Sequence, residues 1–129
     1  TLWKNIEALV LQKRLIAPRE VLKEIIWNTQ LLTWAKKHRK MFRDLDAEQL
    51  QYVKEIEAKY PNLIDPRKST PDADPFIIAL AKTENATVIT SEKPASPTSS
   101  RVMIPDVCLV YNITCINLTD WFNEQQWKF

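Results

Sequence analysis

The 129-residue sequence predicts one α/β domain that is rich in helix and contains a short parallel sheet. An apolar helix, a tight turn and a short buried strand follow one another twice, as "DPFIIALAK" then "ATVIT" and as "IPDVCLVYNI" then "TCIN". This order is typical of parallel α/β folds. The first of these helices is apolar almost all round, which indicates a helix covered on most sides, as one packed against a sheet is.

The N-terminal half is predicted to be mainly helical. A helix over about residues 2–13 has its apolar residues on one stripe, and "RLIAP" then forms a connector or a brief strand. Pro18 opens a second helix, "PREVLKEIIW", which buries Val21, Leu22, Ile25 and Ile26. Two more helices follow, "TQLLTWAKKHRK" and "DAEQLQYVKEIEAKY", and the second has Leu50, Val53 and Ile56 at helical spacing.

The C-terminal half contains both strands and a final helix, "LTDWFNEQQW". A polar, proline-bounded surface loop over residues 62–71 leads into it. Because the chain has no glycine, left-handed turn positions must fall to other residues, and Asn85 and Asn112 are well placed to end helices in that conformation.

Composition limits the classes of protein to which the chain can belong. Hydrophobic content of 45% and charged content of 26% are ordinary for a soluble domain, and no apolar run reaches the length of a membrane span. We therefore expect a cytoplasmic protein. Cys108 and Cys115 have no second pair or histidine near them, so we interpret them as reduced core residues rather than zinc ligands.

Acidic side chains fall at helix starts or strand ends close to the apolar segments. The acids in such positions are Glu24, Asp72, Asp74, Glu92 and Asp106. Each alone could cap a helix or lie in solvent. If the fold gathers them, their mutual repulsion favours a hard divalent cation, Mg²⁺ or Mn²⁺, which can promote cleavage of a phosphodiester.

The run "KKHRKMFR" concentrates positive charge although the net charge is only +2. Its cations are Lys36, Lys37, Arg39, Lys40 and Arg43. They could form a solvated helix face or a patch that binds RNA phosphates beside the acids. We expect His38, the single histidine, to be exposed and not catalytic.

The order of "VLKEI", "ADPFIIALAK", "ATVITSEK" and "IPDVCLVYNITCINLTDWF" resembles the PIN-like nuclease clan over nearly the whole chain. The resemblance implies a three-layer α/β/α domain spanning residues 1–129, with an acid pocket that binds Mg²⁺ or Mn²⁺. It assigns catalysis to Glu24, Asp74 and Glu92, although many relatives have aspartate at the last position. Asp72 and Asp106 lie beside the motif positions and are weaker candidate ligands.

One expected part of the family pattern is absent from these residues. Relatives begin with a strand ending in an aspartate, roughly "yviDtn", which would occupy the centre of the sheet. We therefore expect the 129 residues to belong to a longer chain, the alternative being a truncated and inactive remnant.

Members of the clan are typically single-strand-directed ribonucleases, and many are the toxin of a toxin–antitoxin pair. The resemblance therefore implies a metal-dependent endoribonuclease with RNA as substrate, an antitoxin protein as partner and no membrane association, and it leaves a homodimer open. The alternatives are a catalytically inactive module that binds RNA or protein, and a structural domain whose acids only cap helices.

Overall fold

The computed structural model describes residues 1–63 and 72–128. Most of the predicted loop over residues 62–71 lies outside them. The described α-helices are α1 (Leu2–Leu11), α2 (Val21–Glu24), α3 (Thr29–Lys37), α4 (Ala47–Lys59), α5 (Asp74–Glu84), α6 (Ile104–Val110) and α7 (Leu118–Glu124). The strands are β1 (Ala17–Pro18), β2 (Phe42–Arg43), β3 (Val88–Ile89) and β4 (Cys115–Ile116), and two 3-10 turns cover Arg39–Met41 and Pro61–Leu63.

The strands form two parallel pairs, β1 with β2 and β3 with β4. This helix-rich arrangement with short parallel strands confirms the predicted α/β class. In the part of the chain that is described, the two pairs do not hydrogen-bond to each other. A cleft of about 490 Å³ lies between them, and its lining includes Ala17 and Pro18 of one pair and Val88, Ile89 and Ile116 of the other. That a further strand occupies the sheet centre stays a prediction.

Helix α5 is the central packing element of the fold. It contacts α4, α6, β1 and β3, and its buried residues include Ile78, Ala79 and Leu80. This confirms the prediction of a helix covered on most sides. Asn85 ends α5 at a φ of 52°, as predicted, and Asn112 follows α6 at a φ of 57°. These asparagines take the left-handed positions that glycine often fills.

The apolar core lies between α4, α5, α6 and the β3–β4 pair. Its fully buried members include Ile56, Leu63, Ile78 and Val107. Cys108 is also buried and Cys115 is partly buried, and both are free thiols, as predicted. No described helix combines the length and apolarity needed to cross a membrane.

The second helix is shorter than predicted. Pro18 does not open it, because Pro18 lies in β1 opposite Arg43, and the Arg19 N–H donates to the Arg43 carbonyl at 2.9 Å. The helix therefore begins only at Val21 and ends at Glu24. Ile26, predicted to be buried, lies beyond its end and is 55% exposed. Leu50 of α4 was also expected to face the core but is 37% exposed.

Candidate metal centre

The N-terminus of α5 brings acidic side chains into the interior. Asp74 is the first residue of the helix, and Pro75 follows in the first turn. N–H groups in the first turn have no intrahelical acceptor, so the missing N–H of proline costs no hydrogen bond there. Both residues are buried, and Asp74 is only 6% exposed. Asp72 precedes the helix and is partly buried. A carboxyl group this deep needs partners that offset its lost hydration.

The end of α2 places a third acid against this helix start. Ligand oxygens of Glu24, Asp72 and Asp74 all lie within 4.8 Å of one another. Glu24 comes from a different element, 49 positions before Ala73 in sequence. The three residues, named here the acid cluster, could hold a metal ion. Their ligands are oxygens alone, without histidine nitrogen or cysteine sulfur, and such a set fits hard cations.

Backbone hydrogen bonds fix two of these carboxylates. The Ala73 N–H donates to Glu24 Oε1 at 3.0 Å, which joins α2 to the start of α5. The Asp74 N–H donates to Asp72 Oδ1 at 2.9 Å, an Asx-type turn that folds Asp72 back onto the helix. These bonds to N–H groups at a helix start, together with the helix dipole, stabilise negative charge there. The acid cluster is therefore positioned by backbone groups before any ion binds.

The other two predicted ligands have partners at a different helix start. The Ile104 N–H donates to Glu92 Oε1 at 2.9 Å, so Glu92 caps the beginning of α6. Asp106 accepts from the Met103 N–H at 2.9 Å and from the Ala95 N–H at 3.1 Å. Neither belongs to the group of oxygens within 4.8 Å. Their bonds support the helix-capping alternative, and a role in metal binding stays a prediction for both.

The two cysteine thiols are poorly ionised. Burial raises the pKa of Cys108 to about 12, and the nearby Cys115 adds to that shift. Burial also raises the pKa of Cys115, and the negative charge of Glu92 acts in the same direction. Since thiolates are the reactive and metal-binding form of cysteine, these residues fit the predicted structural role rather than a catalytic one.

The predicted cationic residues converge on one surface pocket of about 740 Å³. Lys36, Lys37, Arg39, Lys40 and Arg43 all line it. Lys13, which the sequence reasoning did not single out, joins them from the turn after α1, where its φ is 60°. We call this the basic pocket. No sequence signal close to Lys13 could have placed it there, because its position beside the residues of α3 depends on how α1 and α3 pack together.

The prediction that His38 is exposed is wrong. Its side chain is only 17% exposed, and Nε2 lies 3.6 Å from Glu7 Oε1. The imidazole ring packs on Trp34 with the ring centroids 4.6 Å apart. His38 therefore joins α1 to the end of α3 and supports one wall of the basic pocket.

Comparison with known proteins identifies one family. The family model described as "Domain of unknown function (DUF4411)" matches residues 1–129. No curated protein and no solved structure matches the chain.

Proposed function

The chain belongs to the DUF4411 family, and from this premise and the acid cluster we propose that it is a metal-dependent endoribonuclease of PIN type acting in the cytoplasm. The observation that carries the proposal is the meeting of Glu24, Asp72 and Asp74 within 4.8 Å at a buried helix start. Two of these residues, Glu24 and Asp74, hold acid positions of the motifs on which the resemblance rests.

The ligand set favours Mg²⁺ or Mn²⁺ as the ion. Both are bound in proteins through carboxylate and water oxygens, and neither requires nitrogen or sulfur. When bound, such an ion offsets the negative charge that develops on a phosphodiester during hydrolysis.

The chain's own residues orient this site. Glu24 is tied to the backbone of residue 73 and Asp72 to that of residue 74, so ligands from two elements keep a fixed spacing. Asp74 is the most buried of the three, which limits its movement and its access to water. Such preorganisation lowers the cost of assembling ligands around an ion.

RNA cleavage tests the proposal. The full-length protein should cut single-stranded RNA with Mg²⁺ or Mn²⁺ and not with EDTA, and Asp74→Asn should lose the activity. Asp120→Asn is the matched control, because Asp120 is exposed in the first turn of α7 and lies outside the acid cluster. Equal cutting by wild type and Asp74→Asn would contradict the proposal.

The toxin role is part of the same proposal and rests on the resemblance. Expression should arrest growth of a bacterial host, and Asp74→Asn should relieve the arrest. If both proteins arrest growth equally, the effect does not come from this site.

A second candidate function is an inactive module that binds RNA or protein. The observation that favours it is the engagement of Glu92 at the start of α6, outside the acid cluster. Such a module predicts nucleic-acid binding that EDTA leaves unchanged, without any cleavage when Mn²⁺ is added.

A further inference from the structure

We propose that the basic pocket binds a segment of single-stranded RNA, with backbone phosphates on its cations and a base or ribose against its apolar wall. The inference deepens the proposed function, since the strand bound here would be the substrate. Its own support is the charge, chemistry and shape of the pocket, which do not depend on the acid cluster.

The charge of the basic pocket is one-sided. Its lining includes six lysine or arginine residues and no aspartate or glutamate. Across residues 1–63 and 72–128, none of those six takes part in an ion pair. Lys13, Lys36, Lys37, Arg39 and Lys40 are exposed. Like charges held close together repel one another, and a polyanion relieves that repulsion while releasing its counterions.

Arg43 contributes a buried donor to the same pocket. It lies on β2 and is partly buried, and its Nε has no hydrogen-bond acceptor among the described residues. A buried donor without an acceptor costs free energy. Guanidinium groups pair well with phosphate oxygens, so an anion reaching Arg43 would offset part of that cost.

The remaining lining is apolar and makes the pocket more than a charged surface. It consists of Val10, Leu11, Leu15, Ile16 and Met41, with His38 as the only other member. Leu11 is 76% exposed, so part of this wall is open to a ligand. An apolar wall beside cations suits a nucleotide, which joins a flat base to a charged phosphate, and single strands can turn their bases outward.

Strand β1 links the basic pocket to the acid cluster. Leu15 and Ile16 line the pocket just before Ala17–Pro18, and the chain then continues through α2 to Glu24. Arg43 is paired with Pro18 on the neighbouring strand. An RNA strand held in the basic pocket would therefore contact the chain segment that runs through β1 and α2 and supplies Glu24 to the acid cluster.

Binding in EDTA tests the inference apart from cleavage. Fluorescence anisotropy would measure the affinity of a labelled single-stranded RNA of about 12 nucleotides, long enough for a typical single-strand site. The variant Lys36→Gln/Lys40→Gln removes two pocket charges. Lys54→Gln/Lys128→Gln removes two charges from exposed residues elsewhere and is the matched control.

The expected result follows from counterion release. The slope of log affinity against log salt should fall by about 0.7 for each lost phosphate contact, or about 1.4 for the pocket variant. If the wild type and the pocket variant bind RNA equally near 1 M salt, the pocket variant binds it about 25-fold more weakly than the wild type at 0.1 M salt. The control variant should lose far less affinity for RNA. Leu11→Ser should weaken binding at every salt concentration without changing the slope, because it removes only an apolar contact.

Two outcomes would overturn the inference. One is equal binding by the pocket variant and its control. The other is displacement of the RNA by poly-glutamate of equal charge at equal concentration, which would show a site for acidic peptides. Failure of the proposed function would give a different result. The wild type would then bind RNA with the expected slope of log affinity against log salt but would not cut it when Mn²⁺ is added.

Discussion

Replacing Asp72 with asparagine should stabilise the metal-free protein and remove its stabilisation by Mn²⁺. Asparagine has nearly the same shape, and its Oδ1 can still accept from the Asp74 N–H, as Asp72 does at 2.9 Å. The substitution therefore deletes a charge and largely preserves the turn. It separates the electrostatic cost of the acid cluster from its structural role.

The magnitude follows from the spacing of the oxygens. Two unit charges 4.8 Å apart repel by about 0.9 kcal/mol at a dielectric constant of 80 and by about 3.5 kcal/mol at 20. Removing one of three charges deletes two of the three pairs, which is about 1.7 kcal/mol even at the weaker limit. The lost interaction with the α5 dipole offsets about 0.5 kcal/mol of this. From the repulsion among the three acids and the α5 dipole alone, we expect a net gain of about 1 kcal/mol for Asp72→Asn in EDTA.

Mn²⁺ should make the wild type more thermally stable than Asp72→Asn, the reverse of their order in EDTA. An ion at 100 times its Kd stabilises the folded state by about 2.7 kcal/mol. For 129 residues the unfolding entropy is about 0.27 kcal/mol/K, so the wild-type Tm should rise by about 10 °C. Asp72→Asn should start about 4 °C above the wild type in EDTA and gain little from the ion.

Thermal melts followed by circular dichroism, in EDTA and across a Mn²⁺ titration, measure both effects. Asp120→Asn is the control, because it makes the same chemical change outside the acid cluster and should keep the full response to the ion. The reasoning fails if Asp72→Asn is less stable than the wild type in EDTA. It also fails if all three proteins gain equally from Mn²⁺.

Three further predictions concern the thiols, the core and the turns. Burial raises the pKa of Cys108 from 9.0 to about 12, so the folded chain keeps a proton that the unfolded chain loses. Stability present below pH 9.0 should therefore fall as pH rises towards 12, and Cys108 contributes at most about 1.4 kcal/mol per pH unit to this slope. In urea unfolding, Cys108→Ala should show a shallower slope, and the part that remains comes from groups such as Tyr111, whose pKa is also raised to about 12. Ile78→Ala should cost about 3 kcal/mol in the same assay, and Ile77→Ala clearly less, because Ile78 is fully buried and Ile77 only partly. Gln126→Gly should stabilise by about 0.5 kcal/mol, since a left-handed φ of 59° strains a side chain with a Cβ, while Asn112→Gly should bring no gain because asparagine tolerates that conformation.

The sequence predicted best those elements whose signals are local. The apolar pattern of α5, Pro75 in its first turn and Asn85 at its end are all visible within a dozen residues, and all three were confirmed. The parallel pairing of β3 with β4 followed from the repeated order of helix, turn and strand. Local helix-end residues and periodicity thus sufficed for α5.

Features that depend on distant partners were harder to predict. Pro18 reads locally as a helix start, yet its pairing with Arg43 makes it part of a strand and shortens α2 to four residues. His38 reads locally as an exposed histidine among cations, yet it packs on Trp34 and lies 3.6 Å from Glu7. In both cases a residue elsewhere in the chain decides the outcome.

The acid cluster shows the same limit. The resemblance ranked Asp72 below Glu92, but the turn closed by the Asp74 N–H brings Asp72 to the other two acids. The sequence "DAD" before a helix was a usable signal for this turn. Asp106 in "IPD" was likewise recognisable as a first-turn acid. The bond from Ile104 to Glu92 spans 12 positions and had no local signal.

The central place of α5 makes one helix responsible for the cooperativity of the fold. The two strand pairs share no backbone hydrogen bond in the described chain, and α5 contacts a strand of each. Fraying of this helix would let the halves open separately, each with its own rate of amide exchange. An ion held at the start of α5 would oppose that fraying. Metal binding at one end of the helix would therefore slow amide exchange in both halves.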